Sequence, residues 1–320
     1  MKTNTMRLCA AILLVAQIAG RAQQTEISVQ KGKVVAEVGS ASVPIEAGRK
    51  AVLGPSGRPI VSVDNPFVRD ALQLHKLVEA EKARKDLKID STFILVGSAD
   101  ADEVRGALYF EFPNGGSDAT SVLTLPCVSI IPDLQVYDLD GNLLEVDQTL
   151  VDATTASYSI HVRKPVQAGE HFKLIGVANL RDIPLIPGGA PAYYKEGPLW
   201  HFTTMNIMPN CLNYFRFILP SSAILVDANR QVIATDCVEG RVAVTMRNYT
   251  GEYADGACTV ALLWPDHDGT TLADIPARYL GLRAAGDSKD VEKCRRELTR
   301  IREGTQFQDQ STPLSALLST

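Results

Sequence analysis

Tyr158-Ser159-Ile160-His161-Val162-Arg163 and Val242-Ala243-Val244-Thr245-Met246-Arg247 are the two runs on which the fold turns. In each, apolar side chains take every second position and small or polar ones fill the places between. Successive side chains of a β-strand point to opposite faces, so this spacing gives one apolar face and one wet face. Strands of that kind belong to antiparallel sheets packed on one side. Leu108, Phe110 and Phe112, with Tyr109 and Glu111 between, follow the same rule, as do Val260, Leu262 and Trp264. Turn signals fall where strands should reverse: Asn114-Gly115-Gly116, Asp140-Gly141-Asn142, Ala168-Gly169-Glu170 and Asp255-Gly256. Short strands with regular Gly and Asp turns predict a mainly β protein built on one or two antiparallel, Ig-like β-sandwich modules over residues 89–268.

The two opening runs also head a longer echo. VYDLDGNLL (136–144) resembles LVDANRQVI (225–233), allowing for an insertion or deletion. Each terminal Arg is followed by a Gly-Glu turn, Gly169-Glu170 and Gly251-Glu252. Cys127 and Cys211 each follow a proline closely. The echo reads as two related modules, about 87–181 and 209–268, with chance similarity among β sequences as the alternative. PLIPGGAPAYYKEGPLW (184–200), rich in Pro and Gly, suits a linker or long loop between them.

Upstream, residues 1–22 have the layout of a secretory signal peptide. Lys2 and Arg7 precede an apolar run, LCAAILLVAQIA (8–19), and Gly20-Arg21-Ala22 offers small residues at a cleavage site. The run is shorter than the roughly 20 residues of a comfortable membrane span. An exported, periplasmic or secreted protein is expected, with no membrane span in the mature chain. An uncleaved anchor and a buried helix are the competing readings. Formal net charge is −5, and losing Lys2, Arg7 and Arg21 with the leader makes it −8. That balance argues against a nucleic-acid partner, which asks for a basic face.

Residues 25–63 read as a compact β segment. Ile27 and Val29 alternate, Gly32 breaks the run, and Val34 to Val38 resume it. Gly39-Ser40 and Gly54-Pro55-Ser56-Gly57 are turn signals. The run ISVQKGKVVAEVGSASVPIEAGRKAVLGPSGRP (27–59), with its Val43-Pro44-Ile45-Glu46-Ala47-Gly48 step, resembles the periplasmic β module of FecR-type proteins. The resemblance implies a small extracytoplasmic β unit used for contacts. FecR-type regulators carry a cytoplasmic anti-sigma segment before a membrane helix, and only residues 1–7 precede the apolar run here, so a sigma-regulator role does not carry over.

A connector helix is expected over 64–88. Asn65 suits a cap and Pro66 the first helical position. Phe67, Val68, Ala71, Leu72, Leu74, His75 and Val78 give a helix-period apolar face, and EAEKARKDLK (79–88) reads as a solvated face. Helices are also expected over 274–304, with Val291, Cys294, Leu298 and Ile301 on one stripe, followed by a loose tail at 305–320.

Chemistry is sparse. His75, His161, His171, His201 and His267 form no HExxH pair, and GxSxG, GxGxxG and Walker motifs are absent from the sequence. No cofactor is expected. Asp266 and Asp268 in WPDHDGT (264–270) offer carboxylates of the kind a hard cation takes, with a solvated turn as the competing reading. Tyr193, Tyr194 and Trp200 could stack on a glycan or anchor a protein partner, or lie buried under a folded loop. Asn248-Tyr249-Thr250 is a glycosylation sequon. After the leader, five cysteines remain. Cys127, Cys211, Cys237 and Cys258 are possible disulfide partners of unknown pairing, and Cys294 lies on the C-terminal helix. The function expected from sequence is a non-enzymatic envelope or extracellular binding or scaffold module. The alternative is an exported hydrolase whose site assembles only in the fold.

Overall fold

The structure, a computed structural model, describes residues 14–18, 25–29, 33–38, 41–46, 48–53, 60–84, 87–99, 104–180, 193–204, 208–238, 240–252, 257–280, 288–303 and 313–317. Most of the expected leader, the turns at 39–40, 54–57 and 255–256, the loop at 184–192 and most of the tail lie outside the described residues. The chain divides into two units interleaved in sequence. One holds Met1–Leu72, Phe110–Ile130 and Leu134–Val177; the other holds Gln73–Tyr109, Ile131–Asp133 and Ala178–Thr320. Neither unit coincides with a single module of 87–181 or 209–268.

The first unit begins with β1 (Leu14–Ile18), β2 (Thr25–Val29), β3 (Lys33–Val38), β4 (Ala41–Glu46), β5 (Arg49–Leu53) and β6 (Ile60–Val63). β1-β2-β5-β6 is an antiparallel sheet, and β3 and β4 form a hairpin. Ile27, Val29, Ile45 and Ala51 make its small core, with Val34 against them. The apolar run of the expected leader thus supplies strand β1, in register from Leu14↔Val29 to Ile18↔Thr25.

Helix α1 (Pro66–Arg84) starts as the sequence predicts. Asn65 Oδ1 accepts the backbone N–H groups of Phe67 (3.0 Å) and Val68 (3.4 Å), and Pro66 stands at the first position. Val68, Ala71, Leu74 and Val78 are fully buried. No helix among the described residues is long and apolar enough to cross a membrane.

The following strands are β7 (Ser91–Ala99), β8 (Val104–Pro113), β9 (Thr120–Ser129), β10 (Gln135–Tyr137), β11 (Glu145–Leu150), β12 (Thr155–Val166) and β13 (His171–Asn179). After them come β14 (Tyr193–Glu196), β15 (Leu199–Thr204), β16 (Cys211–Ile218), β17 (Ile224–Ala228), β18 (Gln231–Val238), β19 (Arg241–Tyr249) and β20 (Cys258–Leu263). β8 and β13 contribute residues to both units.

In the first unit, β11-β12-β9 faces β10-β13-β8. Leu123, Val136, Leu144, Ile160, Phe172 and Leu174 fill the space between, so this is a two-layer sandwich. In the second unit, β18, β19, β16, β7 and β8 make one layer and β14-β15-β20-β17 the other. Phe202, Phe215, Phe217, Val244, Met246, Val260 and Leu262 are among the residues packed between them. The far face of β17, β20 and β15 is also covered. Leu199, Val226, Ala261 and Leu263 meet Leu280, Cys294, Leu298 and Ile301 of the C-terminal helical segments. A strand buried on both faces reads as continuous apolar sequence, which is why Cys258–Leu263 is CTVALL.

The same connectivity occurs twice. β12 lies between β9 and β11 while β10 pairs with β13; β19 lies between β16 and β18 while β17 pairs with β20. Arg163 and Arg247 lie near the ends of β12 and β19, which hold corresponding places in the two sets. β16 pairs with β7 in parallel, from Cys211↔Ser91 to Ile218↔Ser98.

Several inside-outside assignments change. Tyr109 is buried against His75 of α1, with ring centroids 5.0 Å apart, and Phe112 is exposed. Ala107 and Tyr109 are buried on the face of β8 opposite Val104 and Leu108, so both faces are covered there and simple alternation fails. Val242 is 41% exposed although Val244 and Met246 are fully buried. After β20 come α2 (Pro265–Asp268), short 3₁₀ turns at Leu272–Asp274 and Ala277–Leu280, α3 (Ser288–Glu303) and α4 (Leu314–Leu317). On α3, Ile301 is buried and Cys294 and Leu298 pack beside it, while Val291 is exposed. Part of the tail read as loose is docked. Leu314 is buried, and its N–H donates to Asp236 Oδ1 at 2.9 Å.

Candidate functional site

The first unit opens a groove of about 300 Å³ lined by the Asp138–Asn142 turn, the end of β12 and β13. Its cause lies in β12. His161 pairs with Val122 of β9, and the next pair is Val166 with Thr120. Residues 162–165 therefore stand opposite Ser121 alone, an enlarged bulge that lifts Arg163 and Lys164 out of the ladder. Pro165 has no N–H to donate and belongs in such an irregularity. Bulges of this kind re-aim side chains at functional sites. Asn114, itself buried, secures the far end, its Nδ2 donating to the carbonyls of Val166 (2.9 Å) and Asp118 (2.9 Å). The matching strand in the second unit has no bulge against its partner: β19 runs in unbroken register with β16 from Leu212↔Tyr249 to Ile218↔Ala243.

The opposite wall is the Asp-Leu-Asp-Gly-Asn turn. Asp138 accepts the Asn142 N–H at 2.8 Å and the Asn142 Nδ2 at 3.0 Å. Gly141 adopts φ +76°, and a Cβ there would lie 2.5 Å from Val63 Cγ2, so only glycine fits. Arg163 bonds Glu46 of β4 and lies 3.9 Å from Asp138 Oδ2, and Arg49 donates to the Asp140 carbonyl. Val162, Val166, Phe172 and Leu174 supply apolar lining. Lys164 and Lys173 line the same groove and are exposed. The wall residues are thus held by one another, which preorganises the surface for a ligand.

The residues expected from sequence to make contacts go elsewhere. Tyr193, Tyr194 and Trp200 sit on the β14–β15 hairpin. Tyr193 is buried and stacks on Trp200 at 5.1 Å; Tyr194 stacks on His201 at 5.1 Å. Trp200 also meets the edges of Trp264 (6.0 Å) and His267 (5.3 Å). Tyr193 is thus buried, while Tyr194 and Trp200 remain half-buried and stacked on their neighbours. Asp268 accepts from Trp200 Nε1 (3.0 Å), Lys195 Nζ (2.7 Å), Thr270 N–H (3.0 Å) and Thr270 Oγ1 (2.6 Å). Burial pushes its carboxyl up, but these donors overcome it and hold it far below the usual carboxylate range. With its oxygens committed and an ammonium on one of them, Asp268 is unsuited to ligate a cation. Asp266 is exposed on α2. Among the described residues no three metal-ligating side chains converge.

Cys211, Cys237, Cys258 and Cys294 are free thiols, so the bridges that the sequence allows do not form among them. Cys258 packs against the Met246 sulfur at 3.8 Å, and burial pushes its thiol pKa up. Cys211 is buried and Cys237 exposed. The Cys127 side chain lies outside the described ones. His161 Nε2 is 2.8 Å from Asp147 Oδ2 across the β11–β12 pair, an exposed contact. His171 is exposed on β13, and His201 is almost fully buried.

Sequence reasoning missed two groups. Glu81, placed on a solvated face, instead binds Arg247 through both carboxylate oxygens and accepts from the Tyr214 hydroxyl. Nothing in its charged run marks it out. Lys164 and Lys173 read as ordinary surface lysines, yet Pro165 inside a strand was a usable signal for the bulge beside them.

No protein-family model matches this chain, and no curated protein matches it. Among solved structures it is similar to the M1 zinc metallopeptidase of Deinococcus radiodurans. TM-score is 0.34 at 15% identity, covering 54% of this chain and 41% of that one. A point mutant of the same enzyme bound to a Tyr-Ser-Ala substrate gives 0.35 at 16% identity, with the same coverage. The chain thus aligns with less than half the length of those proteins, and at such scores the likeness carries no argument about activity.

Proposed function

We propose that this chain is an exported, non-enzymatic binding module whose binding face is the groove of the first unit. The observation that carries the reading is the β12 bulge. Of two sets of strands with the same connectivity, one keeps an unbroken β16–β19 ladder and the other interrupts the corresponding ladder to open a lined groove. Export is supported by the charged start, apolar run and small residues of 1–22, and by the resemblance of 27–59 to an extracytoplasmic β module. Cleavage after Ala22 would remove β1 and leave β2 as an unpaired edge beside β5.

Two measurements test this. Amino-terminal sequencing of protein recovered from the cell envelope should begin near Gln23, and a retained Met1 would contradict cleavage. A library of small ligands, screened by amide chemical-shift mapping, should give hits that move resonances of residues 138–142 and 162–174. Hits confined to other surfaces, or turnover of a screened compound, would defeat the groove reading.

A further inference from the structure

We propose that the groove takes a small amphiphilic carboxylate, its anionic head held by Lys164 and Lys173 and its apolar body laid on the half-buried Val162 and Val166. The inference rests on the reading of the groove as the binding face and adds the chemistry of what binds. The argument is one of unspent charge. Arg163 is engaged by Glu46 and Asp138, and Asp138 by Asn142. The Lys164 and Lys173 ammonium groups have no ion-pair or hydrogen-bond partner among the described residues. Against these two free cations stands one free carboxylate, that of Asp140. The unspent charge of the lining is therefore positive, which favours an anionic occupant over a cationic or neutral one. Size narrows the class further. A volume of about 300 Å³ lies at the small end of ligand sites and suits one short chain. The bulge raises Lys164 from the sandwich while Val162 and Val166 stay half-buried, so charge and apolar surface are offered side by side.

The test uses decanoate, decanol and decyltrimethylammonium below their micellar concentrations, titrated into the full chain by calorimetry and by amide chemical shifts. Decanoate should bind with one-to-one stoichiometry, about tenfold more tightly than decanol, and weaken with added salt. Lys164→Glu/Lys173→Glu should weaken decanoate about tenfold and leave decanol unchanged. Both positions are exposed, and an unchanged urea melt confirms the fold of the variant. Equal affinity for decanoate and decanol at the groove, or tight binding by the double variant, overturns the carboxylate assignment while leaving the groove as the binding face. Shifts from every probe confined to other surfaces overturn both.

Discussion

Arg163 and Arg247 close matching runs of sequence, yet their partners differ in surroundings. The Arg163–Glu46 pair is 41% and 34% exposed, so water screens it. Arg163→Ala should cost only about 0.2–1 kcal/mol, as exposed pairs do. Arg247 is 25% and Glu81 18% exposed, and Tyr214 shares the carboxylate. Burial alone pushes the Glu81 carboxyl up; hydrogen bonds from Arg247 and Tyr214 more than reverse this and hold it below its ordinary value. Arg247→Ala should then cost roughly 2–3 kcal/mol, less than the 3–5 kcal/mol typical of fully buried pairs. Urea melts of the two variants decide it, and equal losses would refute the difference. His201 gives a pH signature. Burial, reinforced by Arg278, lowers its pKa, while Glu196 and Asp227 oppose the shift. The unfolded chain takes up this proton near pH 6.5 and the native state resists it, so stability falls as pH drops below about 6.5. The loss is complete below the lowered folded pKa. His201→Gln should show a smaller drop in urea midpoint between pH 7.5 and pH 5, and identical pH profiles would sink the assignment.

Among the elements, the Asp138–Asn142 turn and strand β12 matter most, because together they shape the groove. Gly141 holds a left-handed conformation against Val63. Gly141→Ala should destabilise by roughly 1–3 kcal/mol through backbone strain and overpacking. A thermal melt unchanged by that substitution would mean the turn relaxes freely. Ile160 and Val244, fully buried on corresponding strands, should each cost about 1–4 kcal/mol on truncation to Ala, the cost of lost burial plus a cavity. These inward positions were legible in the sequence because period-two alternation follows directly from strand geometry. The same pattern misplaced Tyr109 and Val242. Alternation records which side chains are apolar, and the neighbours on each face decide which of them meet solvent.

For the whole molecule, the C-terminal helical segments act as a cover. α3 and the turn at Ala277–Leu280 shield Leu199, Val226, Ala261 and Leu263. A chain ending before Ser288 should melt at lower temperature and bind an apolar-surface dye such as ANS, since a contiguous apolar face would meet water. An unchanged melt without dye binding would show that the cover is dispensable.

What the sequence determined by itself is local. Strand periodicity, Gly and Asp turns and the Asn65-Pro66 helix start depend on neighbours along the chain, and short-range sterics and hydrogen bonds act wherever those residues stand. Tertiary structure decided everything that needs residues distant in sequence to meet. It set Glu81 on Arg247 across 166 positions, brought Asp268 to the Trp200 indole N–H, docked Leu314 on Asp236, and let a bulge at 162–165 open a groove beside Lys173. A charged or aromatic side chain reads the same in sequence whether it faces water or a partner. Only the packed chain fixes its dielectric surroundings and its hydrogen-bond partners, and with them its role.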